Sequence, residues 1–174
     1  MTKQELRQEI RRQKSQHGER FAQWSLQICQ AIRQTPEWQS AQTILLYHAL
    51  PDEPDLQTLF CDQRQLLLPV VVGDDLVLRR YEDDRRLQTG AFHILEPTGE
   101  DFPLRRYSEI DLVLVPGMAF DGEGHRLGRG RGYYDRLLPR LPQAAKLGVC
   151  FPFQMVESVP CEAHDIAVSR VICQ

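Results

Sequence analysis

The stretch from Val115 to Leu138 reads VPGMAFDGEGHRLGRGRGYYDRLL and connects an apolar, strand-like run to the amphipathic segment YYDRLL. Between the two lie five glycines (Gly122, Gly124, Gly128, Gly130 and Gly132) and three arginines (Arg126, Arg129 and Arg131). Glycine lets a ligand approach backbone N–H groups closely, and the start of a helix adds further free N–H donors. Arginine contributes a permanent charge and forked donors. The composition therefore favours an anion-binding loop over a turn-rich loop with solvated arginines.

Hydrophobic periodicity outside this stretch predicts helices first and short strands afterwards. In the first forty residues apolar positions recur at spacings of three and four, with Thr2 and Glu5 forming a possible capping box and His17-Gly18 separating two helices. After Pro36, apolar runs alternate with helix-like segments. The predicted strands are TILLYHAL, LLLPVVV, LVLRRY, DLVLVPG and KLGVC, and the predicted helices between them include PDLQTLFCDQ and YYDRLLPRL. The segment from Asp74 to Pro103 is irregular and is expected to hold a short antiparallel hairpin.

This alternation predicts an α/β fold in which one domain, residues 1–174, contains a mostly parallel sheet flanked by helices. We expect a Rossmann-like arrangement, similar to sugar-phosphate isomerase and CoA-transferase-like folds. Ligands of such sheets bind at the carboxyl ends of the strands. Three loops are candidates for this position: the glycine-rich loop, HALPDEPDL after the first strand, and PCEAHDIAVSRVI before the last one. They are expected to converge on one cleft.

Composition excludes several classes of function. The net charge of -3 argues against general affinity for nucleic acid, and the apolar runs are too short to span a bilayer. The charged opening MTKQELRQEIRRQK is unlike a signal peptide. Five cysteines without C-x-x-C spacing fit reduced thiols in a cytoplasm, each buried or inert, and fit neither a disulfide framework nor a zinc site.

A cluster of backbone donors and arginines suits a polyphosphate, whose chemistry commonly recruits Mg²⁺ through one or two carboxylates. Asp135 follows the glycine-rich loop, and from sequence a metal ligand and a helix N-terminal aspartate are equally good interpretations. Asp165 precedes the last predicted strand, where an ordinary turn aspartate is slightly favoured.

Other candidates have a simpler structural explanation when considered alone. Lys3 and Arg7, four residues apart on the first helix, fit a solvated basic face. Tyr133 and Tyr134 fit half-buried packing at a helix start better than stacking on a ligand ring. Glu53 fits a solvent-facing loop glutamate, although its carboxylate also suits a ligand amine.

The segment PGMAFDGEGHRLGRGRGYYDRLL resembles the signature of the 5-formyltetrahydrofolate cyclo-ligase family, also called methenyltetrahydrofolate synthetase. Four further segments resemble family patterns in the right order along nearly the whole chain: KQELR, LPDEPDL, GAFHILEP and PCEAHDIAVSRVI. Many bacterial members read LGYGGGYYD where this chain reads LGRGRGYYD, and eukaryotic members are closer to this chain there. The resemblance implies ATP- and Mg²⁺-dependent closure of 5-formyltetrahydrofolate to 5,10-methenyltetrahydrofolate with release of ADP and phosphate, through an N5-iminium phosphate.

The resemblance also implies roles for individual residues. ATP would contact Lys3, Arg7, Arg126, Leu127, Gly128, Arg129, Gly130, Arg131, Gly132, Tyr133 and Tyr134. The folate would contact His48, Glu53, Phe92, Arg129, Gly130, Arg131, Gly132 and Tyr133, with Phe92 stacked on the pterin. Asp135 and Asp165 would hold Mg²⁺, and Arg126 and Glu53 would be catalytic.

Three other functions remain as alternatives. The first is a protein of the same fold that binds folate or nucleotide without turnover, although retention of Lys3 and both aspartates argues against a decayed site. A sugar-phosphate isomerase or transferase would need a placed general base and no magnesium pair. RNA binding through the basic first helix is disfavoured by the acidic net charge. The expected protein is a cytoplasmic monomer that acts on small molecules, with no nucleic-acid or membrane partner.

Overall fold

A computed structural model describes residues 1–174, which form four α-helices and ten strands. The helices are α1 (Lys3–His17), α2 (Phe21–Arg33), α3 (Pro36–Ser40) and α4 (Tyr133–Leu137). The strands are β1 (Thr43–Leu45), β2 (Gln65–Val72), β3 (Asp75–Arg80), β4 (Leu87–Thr89), β5 (Leu95–Pro97), β6 (Leu112–Pro116), β7 (Ala119–Phe120), β8 (Arg126–Leu127), β9 (Ala145–Cys150) and β10 (Arg170–Cys173).

Six strands form the central sheet in the order β10-β9-β6-β1-β2-β3. All neighbours pair in parallel except β2 and β3, which form an antiparallel hairpin whose turn contains Gly73. Two small antiparallel pairs, β4-β5 and β7-β8, lie outside this sheet. The predicted α/β fold with a mostly parallel sheet is confirmed, and β4-β5 is the hairpin expected between Asp74 and Pro103. The likeness to Rossmann folds is loose.

Strand side chains alternate between two hydrophobic layers, one on each face of the sheet. One layer packs Ile44 and Leu114 against Ile28 and Ile32 of α2. The other contains strand residues together with helix residues such as Leu137. Full burial of one such side chain stabilises the fold by about 1.5–3 kcal/mol, so both faces contribute to holding the sheet.

The first helix begins and ends where the sequence indicates. The Thr2 hydroxyl accepts the Glu5 N–H at 3.1 Å, and the Glu5 carboxylate accepts the Thr2 N–H at 2.7 Å, which is a complete capping box. The helix ends at His17, directly before Gly18. Leu6 and Ile10 are buried on its inner face.

Three predicted segments are shorter or different in the structure. PDLQTLFCDQ is not an α-helix, because only Gln57–Leu59 forms a single 3-10 turn. The Asp55 N–H donates to the Ser25 hydroxyl of α2, and the Tyr47 hydroxyl donates to the Pro54 carbonyl. These two hydrogen bonds fix the segment in a non-helical path. The first strand ends at Leu45, before most of TILLYHAL. The last α-helix ends before Pro139, which has no N–H to continue it.

All five cysteines are free thiols, with Cys29 and Cys150 buried and Cys61 and Cys161 exposed. No helix in the chain combines the length and the hydrophobicity that crossing a bilayer would require.

Candidate active site

A cleft of about 340 Å³ opens where β1 and β6 end. Tyr47 and His48 follow β1 and line one side, while Pro116 and Gly117 line the end of β6. The other lining residues are Leu50, Glu53, Pro69, Val71, Leu76, Phe92, Ile94, Glu96, Arg126, Arg129, Arg131, Gly132, Tyr133 and Tyr134. Two of the three predicted loops therefore converge here, at the carboxyl ends of parallel strands. The third loop, before β10, does not line the cleft.

The buried Asp121 side chain organises the turn that leads into the glycine-rich loop. One carboxylate oxygen accepts the backbone N–H groups of Glu123 and His125, each at 3.0 Å. The other accepts the Val159 N–H at 2.9 Å and lies 3.0 Å from the His125 ring nitrogen Nδ1. Although burial opposes ionisation, these N–H donors outweigh it and lower the pKa of Asp121. A fixed carboxylate thus holds the start of β8 in place.

Arg126 projects from β8 into the cleft with its side chain 10% exposed. Its Nε donates to the Pro116 carbonyl at 2.7 Å, and its Nη1 lies 3.6 Å from the Asp135 carboxylate. The guanidinium also lies over the Tyr134 ring, 5.1 Å from the centroid. Burial lowers the pKa of Arg126 and Asp135 opposes this effect, but a guanidinium remains charged in proteins. The cleft therefore contains an oriented, largely desolvated cation.

Gly132 connects the glycine-rich loop to α4 in a left-handed conformation, with φ of 73°. A Cβ atom at this position would lie 2.7 Å from the Arg136 Nη1. That guanidinium donates to the Arg131 carbonyl at 3.0 Å, so it closes the turn behind the loop. Only glycine adopts this backbone geometry without strain.

Glu53 is held in the loop after β1, with its side chain 10% exposed. Its Oε1 accepts the Leu50 N–H at 2.9 Å, and its Oε2 lies 3.7 Å from the Arg129 guanidinium. Arg129 also donates to the neighbouring Asp52 at 2.7 Å. The Asp52 carboxylate in turn lies 3.1 Å from the ammonium of Lys14, a buried residue of α1. The predicted substrate residues Glu53 and Arg129 are thus brought together in one charged network.

Aromatic rings form another part of the cleft wall. Phe92 has φ of 58° and is 44% exposed, both unusual for a phenylalanine. Its ring contacts Tyr133 edge-on at a centroid distance of 6.4 Å, and the Arg131 guanidinium lies 4.7 Å from its centroid. His48 packs edge-on to Phe60, 6.0 Å between centroids. An exposed ring beside a cleft is suited to stack on a flat ligand.

Lys3 and Arg7 lie beside the glycine-rich loop and outside the cleft lining. The Arg7 Nε donates to the Gly128 carbonyl at 2.8 Å, and the Lys3 ammonium lies 3.6 Å from Asp165. Asp165 accepts the Glu162 N–H, which lowers the pKa of its carboxyl, and the Lys3 charge acts in the same direction against the effect of burial. The first helix therefore presents cations at the outer edge of this loop.

Each predicted metal ligand is an aspartate paired with a cation: Asp135 with Arg126, and Asp165 with Lys3. No group of three or more His, Cys, Asp or Glu side chains forms a site that the protein alone would complete. One or two carboxylates, with phosphate oxygens and water supplying the remaining ligands, is the donor set that Mg²⁺ commonly takes beside a nucleotide. Asp135 and Asp165 are carboxylates of this kind.

Asp52 belongs to the candidate loop HALPDEPDL, but sequence reasoning gave no role to three other residues of this region: Lys14, Glu96 and Asp121. Lys14 offered a usable signal, because it continues the apolar spacing of Leu6 and Ile10 at intervals of four and is buried accordingly. Glu96 had a signal as well, because it belongs to the segment GAFHILEP, but no role followed from it. Asp121 gave none, since its contacts with distant N–H groups are not visible in the sequence.

Comparison with known proteins gives consistent matches. The family model described as the 5-formyltetrahydrofolate cyclo-ligase family matches residues 1–174. A 5-formyltetrahydrofolate cyclo-ligase of Mycolicibacterium smegmatis is 32% identical over 76% of this chain and 74% of its own. The NMR structure of Aquifex aeolicus 5,10-methenyltetrahydrofolate synthetase has a TM-score of 0.85 at 36% identity, covering 99% of this chain and 90% of that one. A synthetase structure from Mycoplasma pneumoniae, with a TM-score of 0.74 at 23% identity over 99% and 98% of the two chains, shares the fold.

Proposed function

Because the chain belongs to the 5-formyltetrahydrofolate cyclo-ligase family and is thus an enzyme of the ATP-dependent ligase class, we propose that it closes 5-formyltetrahydrofolate to 5,10-methenyltetrahydrofolate with release of ADP and phosphate. The observation that carries this proposal is the position of Arg126. Its desolvated guanidinium lines the same cleft as Glu53 and the exposed Phe92 ring. Phosphate stabilisation and binding of a flat, amine-bearing substrate are therefore available at one place.

In the proposed reaction the formyl oxygen attacks the γ-phosphorus of ATP, ADP leaves, and an N5-iminium phosphate forms. An amide-like oxygen is a poor leaving group, and phosphorylation makes it a good one. The N10 amine then attacks the activated carbon and loses its proton, the carbon–oxygen bond breaks, and phosphate departs with the former formyl oxygen. Nucleophile and electrophile belong to one bound molecule, so the protein mainly has to align them.

Arg126 would stabilise charge on the transferring phosphoryl group, because its position is already fixed by the Pro116 carbonyl before any ligand binds. Backbone N–H groups of the loop from Arg126 to Tyr134 would hold the phosphates, and Lys3 and Arg7 would add charge from α1. This assignment is supported by the contact between Arg7 and Gly128.

Glu53 would orient the folate or accept the N10 proton, a role supported by its low exposure and its fixed Oε1. Phe92 would stack on the pterin and His48 would line the same pocket. Arg129 and Arg131 face the cleft and would divide their charge between ATP and the folate.

Asp135 and Asp165 would hold Mg²⁺, which would neutralise phosphate charge during the transfer. Both carboxylates are already next to cations assigned to ATP, so exchange of partners on nucleotide binding is electrostatically reasonable. We further propose that residues 1–174 act as one domain, a cytoplasmic monomer without nucleic-acid or membrane partners. The net charge of -3 and the five free thiols support the absence of nucleic acid and the reducing compartment.

The direct test incubates purified protein with 5-formyltetrahydrofolate, ATP and Mg²⁺ and follows the methenyl chromophore. The expected result is product formation that requires both ATP and the metal, with one ADP released per product. Full activity without ATP would exclude phosphoryl activation. Binding of folate and nucleotide with no product would instead identify a binding protein.

A further inference from the structure

Glu96 is a buried carboxylate at the wall of the cleft that the roles above leave unused. It is 6% exposed and lies on β5, which packs beside β2. Its Oε1 accepts the Val71 N–H at 3.2 Å, and the carboxylate forms no ion pair. Burying an unpaired carboxylate is costly, so its retention at this position calls for a ligand that compensates the charge.

The second oxygen of Glu96 is available to such a ligand. Oε2 has no hydrogen-bond partner within the protein, whereas every fully buried side-chain oxygen or nitrogen in the chain has one. Oε2 therefore keeps accessible surface, and Glu96 is one of the residues that line the cleft. Oε1 also retains a free lone pair, because a carboxylate oxygen accepts two hydrogen bonds. The carboxylate thus has acceptor capacity on both oxygens beyond its bond to the Val71 N–H.

Gly90 leaves space for the carboxylate in this position. A Cβ atom on Gly90 would lie 2.1 Å from the Glu96 Cδ and 2.3 and 2.4 Å from its two oxygens. The Gly90 N–H donates to the Ile94 carbonyl at 2.8 Å, which closes the loop that carries Phe92. Only the absence of a side chain at position 90 lets the carboxylate occupy its place, so the local backbone is shaped around it.

We propose that Glu96 binds the 2-amino-4-oxopyrimidine edge of the pterin, accepting its N3–H and its 2-amino N–H with the two carboxylate oxygens. This inference rests on the proposed function and specifies how that substrate is recognised. Two adjacent N–H donors match the two oxygens of one carboxylate, as a guanidinium does. Phe92 belongs to the loop between Gly90 and Ile94 and is 44% exposed, so its ring is available to the same flat ligand.

Adenine also carries an amino group, but its position fits less well. Two of the cations assigned to ATP, Lys3 and Arg7, contact Asp165 and Gly128 outside the cleft lining, and the others reach the cleft from the glycine-rich loop. Glu96 enters the lining from β5 instead, where its Oε1 accepts the Val71 N–H of β2. The folate is therefore the ligand that we place against Glu96.

The experiment measures dissociation constants by calorimetry for 5-formyltetrahydrofolate and for its analogue with hydrogen in place of the 2-amino group. Wild-type protein should bind the analogue about 10- to 100-fold more weakly, since a hydrogen bond to a charged group is lost. Glu96→Leu should weaken binding of the normal substrate by about 100-fold and Glu96→Gln, which keeps one acceptor, by about 10-fold. Affinity for ATP alone should not change in either variant.

The decisive comparison is between the two ligands. In Glu96→Leu the normal substrate and the analogue should bind within about threefold of each other, because the partner of the amino group is gone. Glu100→Gln, an exposed glutamate nearby, serves as the matched control and should behave as wild type. Gly90→Ala should reproduce the loss by displacing the carboxylate.

Equal losses for both ligands in Glu96→Leu would show a merely structural role and overturn the proposal, as would a loss of ATP affinity with folate affinity retained. Full affinity of wild-type protein for the analogue would overturn it without any variant. If wild-type protein neither bound nor converted 5-formyltetrahydrofolate, the proposed function itself would fail. By contrast, normal turnover of the wild-type protein together with unchanged folate affinity in the Glu96 variants would overturn only the inference about Glu96.

Discussion

The Lys14 ammonium lies 3.1 Å from the Asp52 carboxylate although the Lys14 side chain is only 5% exposed. Arg129 donates to the same carboxylate from the glycine-rich loop. One aspartate therefore joins α1, the loop after β1 and the glycine-rich loop. Burial lowers the pKa of Lys14 while the charge of Asp52 opposes this shift, so the pair keeps a buried cation compensated.

Asp52→Asn should lower the free energy of unfolding by about 1–3 kcal/mol, because it leaves the buried Lys14 ammonium without its counter-charge. Adding Lys14→Met should restore most of that loss, since a methionine of similar length needs no partner. Urea unfolding of both variants measures the difference, with the exposed Asp74→Asn as control. Equal stability of the single and double variants would contradict the coupling.

The effect of Asp52 should also depend on pH. Burial raises the pKa of its carboxyl, but the Lys14 charge and the Arg129 hydrogen bond outweigh burial and leave the pKa below its ordinary 3.8. A carboxyl with a lowered folded-state pKa stabilises the fold above the unfolded pKa and loses that contribution as pH falls through the folded pKa. The stability difference between wild type and Asp52→Asn should be full at neutral pH and shrink below about pH 4. A difference that stayed constant down to pH 2 would exclude this linkage.

Gly132→Ala should destabilise the protein by about 1–2 kcal/mol and reduce turnover, because alanine is strained at a φ of 73°. Gly122→Ala is the matched control in the same segment, since a Cβ atom there meets nothing within 4 Å and its φ is not positive. Thermal unfolding and steady-state kinetics measure both effects. Similar behaviour of the two variants would show that the left-handed turn is unimportant.

Cys173 should react selectively with iodoacetamide. It lies opposite Cys150 across the parallel strands β10 and β9, and this neighbouring thiol lowers the pKa of Cys173 to about 7 against the effect of burial. Labelling should rise with a midpoint near pH 7, and in Cys150→Ala the midpoint should move up by about one unit or more. An unchanged midpoint would remove Cys150 as the cause. The sequence predicted inert thiols, and this contact between distant segments was not visible in it.

Arg126→Ala should lower kcat by about 100-fold or more, the usual cost of removing one positioned donor from a charge-stabilising site. Arg126→Lys keeps the charge but loses the contact between Nε and Pro116, so its loss should be intermediate. Arg140→Ala, at an exposed position outside the cleft, is the control. Kinetics of Arg126→Ala equal to those of wild type would remove this residue from the site.

Much of the fold follows from local signals in the sequence. Thr2 and Glu5 mark the start of α1, and apolar runs of the right length mark the buried parallel strands. PDLQTLFCDQ was misjudged because its path depends on Ser25 and Tyr47, which are distant in sequence. Spacing within the segment carries no information about such contacts.

The candidate site likewise contains residues that local sequence indicates and residues that only tertiary contacts reveal. The glycine-rich loop is evident from its composition, so residue type and motif are enough to select Arg126 and Gly132 as candidates. Glu96 belongs to the quoted segment GAFHILEP, but the sequence assigns it no role, because its contacts are with a backbone N–H of β2 and with the space left by Gly90. Burial and the partners of a carboxylate arise only when the strands assemble.

The central claim is that ATP phosphorylates the formyl oxygen of the substrate, and isotope transfer tests it most directly. 5-Formyltetrahydrofolate carrying ¹⁸O in the formyl group is converted with unlabelled ATP, and the released phosphate is analysed by mass spectrometry. The mechanism predicts that each phosphate formed carries the label, because the bond between the formyl oxygen and phosphorus survives ring closure. Methenyl product accompanied by unlabelled phosphate, with the ¹⁸O in water, would contradict it.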